Sequence, residues 1–117
     1  MSSKSTGSPP PVYLGEFELI VLLAILGLQD DAYGVTIQAA LERETSREVT
    51  LGAIYKTLGR LEDKGCVSAR IGDPTPHRGG RRKKFYRVEP LGSRALRQSV
   101  ADLRRLVRGL GRALEVL

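Results

Sequence analysis

The chain has 117 residues, 41% of them hydrophobic and 5% aromatic with no Trp, which is the size of one domain built on an aliphatic core. Its net charge of +6 is unevenly spread: residues 1–50 hold three basic and seven acidic side chains, residues 51–117 sixteen and six, so the second half suits a polyanionic partner, nucleic acid or an anionic surface. The single cysteine, Cys66, excludes an internal disulfide or a Cys-rich metal site and fits a reducing cytoplasm.

Residues 1–11 are rich in Ser, Gly and Pro with one Lys and no apolar stretch, which predicts a disordered tail and no secretory signal. The first helix is predicted over Glu16–Leu28, with Glu16 and Glu18 favouring its start through the helix dipole. From Leu19 to Leu28 only Gly27 interrupts the apolar run. That is too short for a bilayer, which needs about 20 residues, yet a helix apolar all round must be covered on every side. A small domain has little left to cover the second face, so Leu19, Leu22, Leu23 and Leu26 are expected at a dimer interface.

A polar turn, Gln29–Ala32, leads into a second helix, Tyr33–Glu44, where Tyr33, Ile37, Ala40 and Leu41 recur at helical spacing. Thr45–Arg47 reads as a loop, and Glu48–Val49 as a short strand. Thr50 is a good N-cap for a third helix running to Lys64. Its buried stripe is Leu51, Ile54, Leu58 and Leu61, while Gly52, Ala53, Lys56, Gly59, Arg60 and Asp63 share the opposite face. Two glycines in a helix interior cost about 1 kcal/mol each, a cost that close approach to a partner offsets. Lys56 is placed centrally for a base edge, and Arg60, one turn on, for phosphate. Gly65 is the expected C′ residue.

Cys66–Ile71 and Lys83–Val88 read as the two strands of a hairpin, joined by a turn in which Pro74, Pro76, Gly79 and Gly80 exclude regular structure. The segment 73–87 holds Arg78, Arg81, Arg82, Lys83, Lys84 and Arg87 against Asp73 alone. Pro90, near N1, opens a long helix to Leu117. Leu96, Val100, Leu103, Val107, Leu110, Leu114 and Leu117 form a heptad seam widened by Leu106 and Ala113. The seam exceeds what the small domain can cover and points to dimerisation, the residues from Leu96 to Leu114 forming the interface.

A helix followed by a hairpin with a basic tip is the order of a winged helix-turn-helix. The fold class is therefore mostly α with a small β-hairpin: residues 12–89 as a winged helix-turn-helix and 90–117 as a C-terminal dimerisation helix. Candidate DNA contacts are Thr50, Gly52, Ala53, Tyr55, Lys56 and Arg60 on the helix, and Arg78, Arg81, Arg82, Lys83 and Lys84 on the wing. Tyr55 and Tyr86 fit either phosphate contact or core packing. A lone His77 in the wing turn suits phosphate better than metal, and Cys66 reads as a small core residue at a strand start. With no nucleophile–base pair, phosphate loop or paired carboxylates, neither an enzyme nor a cofactor is expected.

Tyr33–Gly34, Thr50–Tyr55, Leu58, Leu61, Gly65, Gly80–Arg87 and Leu91–Gly92 together resemble the PadR family of bacterial transcription regulators. The similarity runs from Leu19 to Leu96, and the single C-terminal helix resembles the family's short-tailed branch. The resemblance implies a homodimer, usually a repressor released from its operator by a small-molecule effector; two-fold symmetry of such a dimer calls for a palindromic double-stranded operator, and the lone cysteine for a cytoplasmic protein. The competing reading is a winged-helix module that uses the same surface for a protein partner.

Overall fold

The computed structural model describes residues 12–72 and 83–116. Among them are helices α1 (Glu16–Leu28), α2 (Gly34–Glu44) and α3 (Leu51–Asp63), strands β1 (Val67–Ile71) and β2 (Lys84–Val88), and helix α4 (Pro90–Leu110). Single 3-10 stretches lie at Gln29–Asp31 and Gly111–Val116. The expected tail at 1–11, the wing turn with His77, Arg78, Arg81 and Arg82, and Leu117 lie outside the described residues.

Helix α1 starts where Glu18 Oε1 accepts the Gly15 N–H at 2.7 Å, so an acidic N3 side chain occupies one of the donors the first turn leaves open. It buries Val21, Leu22 and Ile25 and leaves Leu23 and Leu26 in water. The start of α2 is fixed in a similar way. Thr36 Oγ1 accepts the Tyr33 N–H at 2.9 Å and donates to the Asp31 carbonyl at 2.6 Å. Ile37, Ala40 and Leu41 then face the core.

No strand forms at Glu48–Val49. Gln38 Nε2 donates to the Val49 carbonyl at 2.7 Å, and Glu42 Oε2 accepts the Val49 N–H at 3.1 Å. Side chains of α2 thus satisfy both polar groups that a ladder would otherwise pair. Thr50 caps α3 as expected, its Oγ1 accepting the Ala53 N–H at 3.1 Å. Ile54, Thr57, Leu58 and Leu61 are buried.

A Schellman closure ends α3. Gly65 adopts φ 78°, its N–H donates to the Glu62 carbonyl, and the Cys66 N–H to that of Leu61, each at 2.9 Å. That closure takes the Cys66 N–H out of the sheet, so β1 begins one residue later than the sequence predicts. The hairpin is antiparallel, with Val67 opposite Val88, Ala69 opposite Tyr86 and Ile71 opposite Lys84. The Tyr86 N–H also donates to the Ala32 carbonyl at 2.8 Å, tying the wing to the turn between α1 and α2.

Helix α4 opens on Glu89 and Pro90 and packs Ala95 and Leu96 against the domain. A Cβ on Gly92 would lie 2.3 Å from the Cys66 carbonyl oxygen, so only glycine allows the helix this close to the start of the wing. Residues 101–110 are all exposed: the second half of α4 leaves the domain. The α-helix stops at Leu110 and continues as a 3-10 stretch, shortening the expected seam. Gly109 and Gly111 are the two weakest helix formers at that point. No helix among the described residues is long and apolar enough to cross a membrane.

Candidate nucleic-acid interface

The core stripe of α3 leaves its other face free. Gly52, Ala53 and Lys56 are exposed there, and nothing lies within 4 Å of where a Cβ at Gly52 or Gly59 would sit. Lys56 takes part in none of the ion pairs found among the described residues. The small side chains of the first turn and one free ammonium on the second therefore form a narrow, unobstructed ridge. Thr50 borders it, but its hydroxyl is already engaged as the cap.

Tyr55 is half in water, at 50% exposure. Its hydroxyl lies only 2.3 Å from where a Cβ on Gly34 would be, so the ring rests on the start of α2. Gly34 is required for this contact.

Arg60 does not stand free as the sequence predicts. Its Nε lies 3.5 Å from Glu18 Oε2, and its guanidinium donates to Thr57 Oγ1 at 3.2 Å. Glu18 is 5% exposed and also receives Lys64 Nζ at 2.7 and 2.9 Å. Lys64 reaches the Tyr13 carbonyl as well, at 3.1 Å. Burial pushes the Glu18 carboxyl up, but the Lys64 hydrogen bond, the Gly15 N–H, the Lys64 charge and Arg60 together outweigh it and hold the carboxyl below its ordinary value. A buried carboxylate between two cations thus fastens the last turn of α3 to the first turn of α1. Lys64 is committed to it, and Arg60, with half its side chain still in water, is tethered beside it.

On the wing, Lys83 sits with Nζ 4.5 Å above the Tyr33 ring and 3.3 Å from its hydroxyl. Tyr33 meets Phe85 edge-on at 5.2 Å, and the Arg70 guanidinium stacks 4.7 Å over the other ring. The result is a stack of two rings with a cation at each end, across the hairpin and the start of α2. Gly72 leaves room for it, since a Cβ there would lie 2.6 Å from Phe85. Lys84 is exposed, with Nζ 3.8 Å from Glu62 Oε1. Arg87 lies 3.6 Å from Glu89. The Ser68 hydroxyl hydrogen-bonds Glu89, which, against a small burial effect and aided by Arg87, lowers the Glu89 carboxyl from its ordinary value.

Tyr86 resolves to the core at 6% exposure, and burial raises its phenol. Cys66 is fully buried, and burial pushes its thiol up, which keeps it protonated and inert. No group of metal-ligating side chains occurs among the described residues. Tyr33, Phe85 and Arg70 were not singled out as site residues by the sequence. The Tyr33–Gly34 pair at a helix start was their visible signal.

Of the residues expected at a dimer interface, Leu22 and Leu96 lie inside the chain's own core and present nothing to a partner. Leu22 shares the inner face of α1 with Val21 and Ile25, and Leu96 is the last fully buried α4 residue, with Val100 packed at the edge of the core. Leu19 and Val100 are half-buried. Leu23, Leu26, Leu103, Val107, Leu110 and Leu114 are exposed, joined by Leu106. Both α1 and α4 thus carry an uncovered apolar stripe.

An open cleft of about 520 Å³ lies between the end of α2 and the start of α3, lined among others by Gln38, Glu42, Arg47, Glu48 and Thr50. Its walls mix polar and apolar surface and carry both signs of charge, unlike the mostly apolar lining of small-molecule pockets.

Comparison with known proteins gives a consistent result. The family model described as "Transcriptional regulator PadR-like family" matches residues 22–98. A PadR family transcriptional regulator from Eggerthella lenta superposes with TM-score 0.68 at 25% identity, over 86% of this chain and 85% of that one. A PadR family regulator from Clostridium difficile gives 0.67 at 26% identity, over 84% and 98%. Bacillus subtilis PadR in complex with operator DNA gives 0.62 at 19% identity, over 72% and 46%, a likeness of fold. No curated protein sequence matches the chain.

Proposed function

The chain belongs to the PadR-like family of transcriptional regulators, and from that premise we propose that it is a homodimeric, sequence-specific DNA-binding protein of the cytoplasm. The observation that carries the reading is the free ridge of α3, with Gly52, Ala53 and Lys56 exposed beside a basic wing. Small residues let the helix backbone sink into the major groove, where Lys56 meets a base edge. Lys83 and Lys84 contact the neighbouring phosphates, the role the sequence also gives to Arg78, Arg81 and Arg82, which lie outside the described residues. Tyr55 adds a hydroxyl at the start of α2, where backbone N–H groups favour an anion. The operator complex of Bacillus subtilis PadR supports duplex DNA as the partner of this fold.

Dimerisation rests on the apolar stripes of α1 and α4. With 53% of Leu103 and 70% of Leu110 in water, the seam stays exposed unless a second copy covers it. Two-fold symmetry then sets the two α3 helices about 34–36 Å apart, or a multiple of that, and calls for a palindromic operator. We read the dimer as a repressor whose operator affinity falls when a small molecule binds. This part rests on the family resemblance, and the dimer interface is the place for such a ligand, since the cleft between α2 and α3 is charged and open.

A gel shift with the DNA upstream of the chain's own gene tests the reading. The expected result is a retarded band that survives an excess of unrelated duplex. A band displaced equally by unrelated duplex would overturn sequence specificity and favour a protein-interaction module on the same surface.

A further inference from the structure

Helix α4 has a second face that neither the DNA reading nor the dimer uses. Arg94, Arg97, Arg104, Arg105 and Arg108 occur along it, Arg112 follows just beyond, and the segment from Pro90 to Val116 contains no Lys. All six are exposed. Only Arg105 has an ion-pair partner among the described residues, Asp102 at 3.2 Å. At 3.6 residues per turn these arginines share one arc of the helix, with Arg94, Arg105 and Arg108 on the side away from Leu96, Val100, Leu103, Val107 and Leu110, and Arg97 and Arg104 along the edge of that stripe. Covering the apolar stripe with a second copy therefore leaves the guanidinium face pointing outward.

Such a face works against the helix that carries it. Arg94 and Arg97, Arg104 and Arg108, and Arg105 and Arg108 stand three or four residues apart, where like charges repel. The exclusive use of Arg is the chemistry of phosphate recognition, since the planar fork pairs with phosphate oxygens in bidentate fashion and Lys does not. From Arg94 to Arg108 the helix runs about 21 Å at 1.5 Å per residue, alongside a duplex that carries one negative charge per about 1.7 Å.

We propose that the arginine face of α4 binds the phosphates of a second duplex segment, separate from the one read by α3. The separation follows from the packing. Helix α4 packs on α1, α1 packs on α3, and the free ridge of α3 is the face turned away from that core. Residues 101–110 project from the domain, so the face is open along its outer half. A basic amphipathic helix is also suited to an anionic membrane, but insertion needs the apolar stripe, which the dimer covers. A regulator already seated on DNA has duplex at high local concentration. The proposal rests on the DNA-binding reading and adds to it the capacity to bridge two stretches of DNA.

The test uses the full chain with a donor-labelled operator duplex, defined by footprinting and kept in excess over α3 sites, and an acceptor-labelled duplex of unrelated sequence. Donor anisotropy reports operator binding, and energy transfer reports bridging. Wild type is expected to give transfer. The triple variant Arg97→Gln, Arg104→Gln, Arg108→Gln is expected to lose about tenfold in bridging while its operator affinity changes less than twofold. The salt slope of bridging should fall by about 0.9 for each contact removed. Operator binding by wild type without transfer would overturn the proposal, as would transfer retained by the variant. A variant that turns monomeric would assign the arginines to the contact between copies. Capture of the operator-bound protein by phosphatidylserine vesicles, with no transfer between duplexes, would assign them to a membrane. Unchanged donor anisotropy with wild type would overturn the DNA-binding reading itself, a failure seen in a different channel.

Discussion

Replacing Glu18 by Gln keeps the size of the side chain and removes the charge at the centre of the α1–α3 junction. The carboxylate is 5% exposed and accepts from the Gly15 N–H at 2.7 Å and from Lys64 Nζ at 2.7 and 2.9 Å, with Arg60 Nε at 3.5 Å. An amide oxygen can still accept one of these, but its NH2 group must then face a cation. Hydrogen bonds to a charged group contribute about 1.5–3 kcal/mol each. Lys64 and Arg60 keep a third to a half of their side chains in water and are rehydrated rather than stranded, which places the loss near one such bond, about 1.5–3 kcal/mol, below the about 3–5 kcal/mol of a fully buried pair. The dependence on pH follows from the lowered carboxyl. Its stabilisation is complete above the ordinary value of 4.5 and is lost as pH falls through the lower folded value. Urea unfolding of wild type and Glu18→Gln at one protein concentration should show the full gap at pH 7 and a closing gap below pH about 4.5, the ordinary carboxyl value. A gap that stays constant down to pH 3, or no gap at pH 7, would refute the account of the junction.

Changing Leu103 and Leu110 to Asp puts charge into a stripe whose leucines are each worth about 1.5–3 kcal/mol on burial, and sedimentation should show monomers or unfolded chain; a fully dimeric double variant would contradict the interface. Lys83→Ala with Lys84→Ala should weaken specific and unrelated DNA alike and lower the slope of log affinity against log salt by about 0.9 per contact; an unchanged slope would mean that these lysines do not meet phosphate. Gly92→Ala drives a Cβ to 2.3 Å from a backbone oxygen of Cys66, and thermal unfolding should report a loss of about 1–3 kcal/mol. Equal stability of the two proteins would show that α4 does not lie that close to the wing.

Much of the fold was legible because its signals are local. The bounds of α1, the Thr50 cap and the Gly65 closure each depend on residues within a few positions, where periodicity and capping chemistry act. The buried stripe of α1 was not legible. A helix apolar on all sides gives no polar face to orient it, so Leu22 and Leu23 were equivalent until packing chose Leu22 for the core. The candidate site divides in the same way. The free ridge of α3 followed from helical spacing within one segment, whereas the diversion of Arg60 to Glu18 and the seating of Lys83 on Tyr33 join residues far apart in sequence. No periodic pattern encodes such pairs. The missing strand at Glu48–Val49 has a related cause, since the competing partners, Gln38 and Glu42, stand one helix earlier.

The central claim is that the ridge of α3 reads bases through Lys56. Lys56→Ala and wild type should be compared on a panel of operators carrying every single-base substitution across one half-site. The expected result is that the variant loses discrimination at one base position per half-site, by roughly 1–3 kcal/mol, and keeps the wild-type preference everywhere else. A variant with the same base preference as wild type at every position would contradict it.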